Sequence, residues 1–128
     1  MGTSEPSNLL PPQGKADAGE RRVAAIDIGT NSIHLLIAAV DPALHSFRVL
    51  LAEKATTRLG DRDPVTGDLA GDAIERAFLT LRHCRDLARS HGVEQILTAA
   101  TSAVREAPNG REVLQAIEDQ LGLEVDLV

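Results

Sequence analysis

Residues 23–32, with the sequence VAAIDIGTNS, join a short apolar run to a polar turn, and they decide the predicted fold. The first six residues have the length and composition of a strand that is buried on both faces of a sheet. Gly29 and Asn31 accept positive φ angles, and Asn31 and Ser32 bond back to the backbone, so residues 29–32 predict a turn. Apolar runs at residues 33–40 and 46–51 follow after tight connections, which predicts an antiparallel meander of three strands.

The most regular pattern in the chain lies beyond a loop that is rich in glycine, aspartate and proline at residues 58–69. Apolar side chains recur there at helical spacing, which predicts a helix over residues 72–90. Asp72, with Glu75 three residues later, is expected to cap its first turn, and Gly92 is placed to end it.

Residues 93–128 predict a strand, a helix and a strand. The strands are expected at residues 93–100 and 123–128, and the helix at 109–121 with a capping box of Asn109 and Glu112. Because helical crossovers make the last two strands parallel, the order βββαβαβ predicts an α/β mixed sheet with helices on its faces.

Length, composition and charge exclude several classes of protein. The 128 residues, 43% of them hydrophobic and 25% charged, suit one folded domain or a fragment, and residues 1–20 are expected to form a disordered leader ahead of a domain over 21–128. A net charge of −6 with only two aromatic residues, both Phe, argues against nucleic-acid and membrane partners. The single cysteine, Cys84, excludes an internal disulfide, and no signal peptide is visible, so we expect a cytoplasmic protein.

Asp27 and the turn behind it form the first candidate site. Backbone N–H groups and polar side chains of Gly29, Thr30, Asn31 and Ser32 suit phosphoryl oxygens, and Gly29 permits close approach. The Asp27 carboxylate is able to hold Mg²⁺ or to orient a water molecule. The alternative is a plain hairpin turn in which Asp27 bonds the turn backbone.

Two further segments carry hydroxyl groups and cations. Thr101 and Ser102 follow the predicted fourth strand, where α/β sheets place ligands, and Arg105 is able to bind an anion bidentately. Alternatively, the hydroxyls only cap a short helix and Arg105 is a surface residue. Arg58 precedes Leu59 and a loop glycine, Gly60; most isolated arginines of this kind are simply solvated.

In this order and spacing, residues 24–32, 58–60 and 99–105 resemble the N-terminal part of the exopolyphosphatase/guanosine pentaphosphate phosphatase family. The resemblance runs from about Val23 to Val128 and implies a ribonuclease H-like half-fold of the actin-like ATPase type. Family members remove terminal phosphates from inorganic polyphosphate or guanosine pentaphosphate, usually with Mg²⁺. The resemblance implies that Asp27 assists metal or water and that phosphate is bound by Gly29, Thr30, Asn31, Ser32, Arg58, Thr101, Ser102 and Arg105.

The resemblance also implies what the sequence lacks. In the family, the last strand leads to a segment with a catalytic glutamate and then to a second phosphate loop, and residues 123–128 stop before both. We therefore expect a domain truncated before the second lobe, inactive alone, and prone to self-association through its exposed sheet edge. Two alternatives stay open: a non-catalytic phosphate-binding or regulatory module, and a fragment of a sugar- or acetate-kinase-like enzyme.

Overall fold

Residues 19–128, the part of the chain that the computed structural model describes, form five strands and three helices. The leader predicted for residues 1–20 falls almost entirely on residues 1–18, outside the described residues. The elements run in the order β1 (Arg21–Ile28), β2 (Ser32–Asp41), β3 (Ser46–Thr56), α1 (Gly71–Ser90), β4 (Gln95–Ala100), α2 (Ser102–Glu106), α3 (Gly110–Leu121) and β5 (Val125–Leu127).

The strands form one five-stranded sheet in the order β3-β2-β1-β4-β5. β1, β2 and β3 pair antiparallel, whereas β4 pairs parallel with β1 and β5 pairs parallel with β4. The predicted meander and the predicted parallel strands are therefore confirmed. The helix α2, which has five residues, is an addition to the predicted order.

The largest difference between predicted and observed strand boundaries is at the end of β3. β3 continues from Leu51 to Thr56, because its backbone keeps pairing with β2 as far as Ser32. Glu53 and Lys54 interrupt the apolar run, but an edge strand accepts charged side chains readily.

The prediction that β1 is buried on both faces is wrong. Ala24, Ile26 and Ile28 are at most 2% exposed, whereas Ala25 and Asp27 between them are exposed. Ala25 is apolar, so the run has the composition of a strand buried on both faces. Ala25 itself lies on the open face of the sheet. Within residues 19–128, the helices pack on the face of the sheet that carries Ile26. The prediction of helices on both faces does not hold for that part of the chain, because Ala25, Asp27 and Leu97 on the opposite face are exposed.

The core forms where that single face meets the helices. Ile26, Ile37 and Leu35 of the sheet pack in one cluster with Leu81 of α1 and Ile117 of α3. Cys84 lies in the same cluster, and burial raises the pKa of its thiol to about 11. The thiol is therefore protonated near neutral pH, in agreement with the prediction that Cys84 is a core residue rather than a nucleophile.

The predicted side-chain caps of α1 and α3 are wrong. The N-cap position of α1 is taken by Ala70, which makes no side-chain capping bond, and Asp72 lies inside the first turn. Asn109 is at the predicted N-cap position of α3, but its side chain makes no capping bond. It instead accepts from the Leu69 N–H at 2.8 Å and donates to the Leu69 carbonyl at 3.4 Å. The amide of Asn109 therefore fastens the long loop to α3, a tertiary use that local sequence does not reveal.

Within residues 19–128, no helix combines the length and the apolar character that a bilayer crossing requires.

Candidate functional site

Two loops meet where β1 ends. The N–H groups of Thr57 and Arg58 both donate to the carbonyl of Asn31 at 3.0 Å, and the Gly60 N–H donates to the carbonyl of Thr30 at 2.8 Å. Residues 57–60 therefore lie directly against the turn at residues 29–31. These are two of the three segments that the sequence singled out.

The third segment joins them through β4. The N–H and the hydroxyl of Thr101 both point to the carbonyl of Ile28, at 3.2 and 3.4 Å. The parallel register, in which Ile28 lies opposite Ala100, brings the start of α2 to the end of β1. Ser102 is half-buried next to Thr101 and begins α2. We define the site edge as the turn 29–32, the loop 57–61 and residues 101–105.

The turn itself is open to a ligand. The Gly29 N–H donates to the Ser32 carbonyl at 2.9 Å, which closes the turn and leaves Thr30 and Asn31 exposed. Among the described residues, no acceptor takes the backbone N–H of Thr30 or Asn31. Two N–H donors at an exposed turn are what a phosphoryl oxygen requires.

Asp27 lies on the open face of β1, beside His34 of β2 and Ala99 of β4 in the strand register. None of the hydrogen bonds found within residues 19–128 uses its carboxylate, so the alternative in which Asp27 bonds the turn backbone does not hold there. No group of three or more His, Cys, Asp or Glu side chains in those residues is arranged to hold a metal ion. A single carboxylate fits a magnesium ion that is bound mainly by phosphate oxygens and water.

Arg58 has a strained backbone. Its φ of +55° lies in the left-handed region, which non-glycine residues seldom adopt and which is common at functional sites. Its side chain is 66% exposed and pairs with Asp61 at 3.4 Å. The loop therefore fixes the backbone of Arg58 while its guanidinium stays accessible to an anion.

Arg105 is exposed on α2, and its Nη1 donates to the carbonyl of Val128. The predicted binding residues thus fall on segments that the structure brings together. Their roles toward phosphate stay predictions.

Two arginines that the sequence analysis did not select hold the site edge in place. Arg76 of α1 donates from Nε to the Thr57 carbonyl at 2.9 Å. Arg62 donates to the carbonyls of Gly67 and Ala103 at 3.1 and 3.0 Å, which ties the loop to α2. The bonds to Thr57 and Ala103 reach backbone atoms 19 and 41 residues away in the chain, so no local pattern reveals them.

Gly60 fits the site because it has no side chain. A Cβ at this position would lie 2.4 Å from Cγ2 of Thr30. We expect Gly60→Ala to lower the free energy of unfolding by about 1–3 kcal/mol through this overlap. In a Thr30→Ser background, which keeps the hydroxyl but removes the methyl group, at least half of the loss should disappear. Urea unfolding of the unaltered chain, the two single variants and the double variant measures this coupling, and an equal loss in both backgrounds would contradict it.

The chain resembles known proteins in sequence. A sequence model of the Ppx/GppA phosphatase family matches residues 36–128. Exopolyphosphatase 2 of Mycobacterium tuberculosis is 39% identical over 103 residues, which cover 79% of this chain and 32% of the relative. The chain thus spans about a third of the length of the curated relatives it matches.

Solved structures agree with this similarity. The crystal structure of the Aquifex aeolicus Ppx/GppA family member superposes with a TM-score of 0.79 at 33% identity, covering 85% of this chain and 35% of that one. An exopolyphosphatase from Cytophaga hutchinsonii gives a TM-score of 0.77 at 30% identity, covering 84% and 34%. The predicted α/β half-fold of the actin-like ATPase type is thereby confirmed.

Proposed function

The chain belongs to the Ppx/GppA phosphatase family, and we propose that residues 21–128 form the N-terminal, phosphate-binding part of a hydrolase that releases terminal phosphate from inorganic polyphosphate. Guanosine pentaphosphate is the second candidate substrate, because it ends in the same phosphoanhydride group. The observation that carries the proposal is the meeting of three predicted phosphate-binding segments at one end of β1. The family match favours this assignment over a fragment of a sugar or acetate kinase.

A net charge of −6 repels a polyanion at long range, so binding must come from the site edge. The free N–H groups of Thr30 and Asn31 would donate to oxygens of the terminal phosphoryl group. The exposed guanidinium groups of Arg58 and Arg105 would neutralise its charge and bind it bidentately. The hydroxyl groups of Ser32, Thr101 and Ser102 would add further donors to the phosphoryl oxygens.

Phosphoryl transfer is driven mainly by positioning and charge stabilisation, because the charge spreads over the equatorial oxygens of the transferred group. Arg58 and Arg105 would stabilise that charge, while Asp27 would orient the attacking water. Magnesium, carried in with the phosphate chain and held by Asp27, would supply additional positive charge. Cleavage would join the water oxygen to the terminal phosphorus and break the bridging P–O bond, whose electrons leave with the shortened chain. The proton of the water would pass to the general base, which the resemblance places in the part of the family beyond the match to residues 21–128.

The isolated chain is expected to bind without turning over. The resemblance places the general base, a glutamate, in a part of the family that residues 21–128 do not match, and Asp27 is already committed to metal and water. We therefore expect saturable binding of polyphosphate with Mg²⁺, weakened by added salt, and negligible phosphate release. Calorimetric titration with polyphosphate, together with a phosphate-release assay, tests this. Failure to bind would contradict the proposed function.

We also propose that copies of this chain associate through the edges of the sheet. β3 and β5 are the outer strands, and Phe47 and Val49 of β3 are 68% and 52% exposed. Unpaired strand edges with exposed apolar side chains favour pairing between chains.

A further inference from the structure

One carboxylate at the site edge faces two arginines. Oδ2 of Asp61 lies 3.4 Å from Nε of Arg58 and 3.6 Å from Nη2 of Arg76. We call these three side chains the Asp61 cluster. Arg58 belongs to the proposed phosphate-binding residues, whereas Asp61 and Arg76 are not proposed to bind phosphate.

The two arginines of the Asp61 cluster are held very differently. The side chain of Arg76, a residue of α1, is held by hydrogen bonds to the Thr57 carbonyl at 2.9 Å and to the Asp72 carboxylate at 3.3 Å. Within residues 19–128, the Asp61 carboxylate is the one ionic partner found for the Arg58 side chain, which is 66% exposed. Arg58 can therefore leave the carboxylate more easily than Arg76 can.

The backbone keeps Asp61 itself in place. Its N–H donates to the Arg58 carbonyl at 3.0 Å, and its carbonyl accepts from the Ala70 N–H at 3.0 Å. Asp61 thus has a fixed backbone, and its carboxylate faces the anchored Arg76 and the more exposed Arg58.

Resting on the proposed function, we infer that Asp61 is a built-in competitor of the substrate phosphate for Arg58. Without ligand, its carboxylate forms an ion pair with the Arg58 guanidinium. When a phosphoryl group arrives, Arg58 turns to it, because a phosphate carries more charge than a carboxylate and accepts a bidentate pair. Asp61 keeps Arg76 as its partner, so no unpaired charge is left. Asp61 therefore weakens phosphate binding and favours highly charged ligands such as polyphosphate.

The variant that tests this is Asp61→Asn, which keeps the size of the side chain and removes its charge. Because an exposed ion pair is weak, we expect polyphosphate to bind roughly two- to fivefold more tightly at low ionic strength. The gain should shrink as salt is added. If the amide variant does not fold, Asp61→Ser removes the same charge and serves in its place.

The matched control is Asp63→Asn, which makes the same charge change in the same loop. The Asp63 carboxylate accepts from the N–H groups of Val65 and Thr66, which hold its pKa below the usual value, and asparagine supports the same turn. A change in long-range charge alone would give equal gains at the two positions. The inference requires a clearly larger gain at Asp61.

A double-variant cycle completes the test. In an Arg58→Gln background, Asp61→Asn should raise the affinity for polyphosphate no more than the Asp63→Asn control does. The reason is that the guanidinium for which Asp61 and phosphate compete is then absent. An equal gain with and without Arg58, or an equal gain at both aspartates, would overturn the inference while the proposed function stands. If neither the unaltered chain nor any variant binds polyphosphate, the proposed function and the inference both fail.

Discussion

The affinity for polyphosphate should fall by roughly a hundredfold when Arg58 and Arg105 are both replaced by glutamine. Each hydrogen bond to a charged group contributes about 1.5–3 kcal/mol. A loss of about 1.4 kcal/mol corresponds to a tenfold loss of affinity. Both guanidinium groups are exposed at the site edge, on segments that the backbone bonds of residues 28–31 bring together. Each single variant should lose about tenfold or more. Calorimetric titration with polyphosphate and Mg²⁺ measures the loss.

The control for this pair is the double variant Arg82→Gln and Arg111→Gln. It changes the net charge by the same amount, and both arginines are exposed on the helices α1 and α3 rather than at the site edge. We expect it to lose no more than about threefold, from long-range charge alone. Equal losses in the two double variants would mean that binding follows net charge and not a built site.

The second large effect concerns stability. Gly110 begins α3 where it crosses the end of α2, and a Cβ there would lie 1.9 Å from the carbonyl oxygen of Val104. That neighbour is backbone and cannot rotate away, so Gly110→Ala must push α2 and α3 apart. We expect the free energy of unfolding to fall by about 1–3 kcal/mol or more, despite the better helix propensity of alanine. Urea unfolding followed by circular dichroism measures it.

Gly71 provides the matched control, because it is the first residue of α1 as Gly110 is of α3. A Cβ at Gly71 would meet nothing within 4 Å. Gly71→Ala should therefore leave the chain unchanged or stabilise it by about 0.4–1 kcal/mol. If Gly110→Ala proves as stable as Gly71→Ala, the claim that α3 packs too closely on the Val104 carbonyl to admit a Cβ at residue 110 is contradicted.

Sequence reasoning recovers the features that local chemistry dictates. Gly29 and Asn31 predict the turn after Asp27. The helices that separate the later strands predict that these strands are parallel, and hence that the sheet is mixed. The family resemblance rests on those same turns, and for this reason the fold and the converging loops could be anticipated together.

The remaining features depend on contacts between distant parts of the chain. Asn109 looks like a helix cap but serves the backbone of Leu69, and Arg76 looks like a surface residue but holds Thr57. The open face of the sheet was missed because Ala25 is apolar and yet small enough to be exposed. Neither spacing nor composition encodes such partners, which become visible only when the elements are packed.

The most direct test of the central claim is an NMR titration of the chain with polyphosphate and Mg²⁺. The account predicts that the amide signals of Thr30, Asn31 and residues 58–60 and 101–105 shift together and saturate at one affinity. Signals from the cleft between α1 and α3, lined by Phe78 and Val113, should stay in place. Unchanged signals at the site edge, or shifts confined to that cleft, would contradict the claim that the edge binds phosphate.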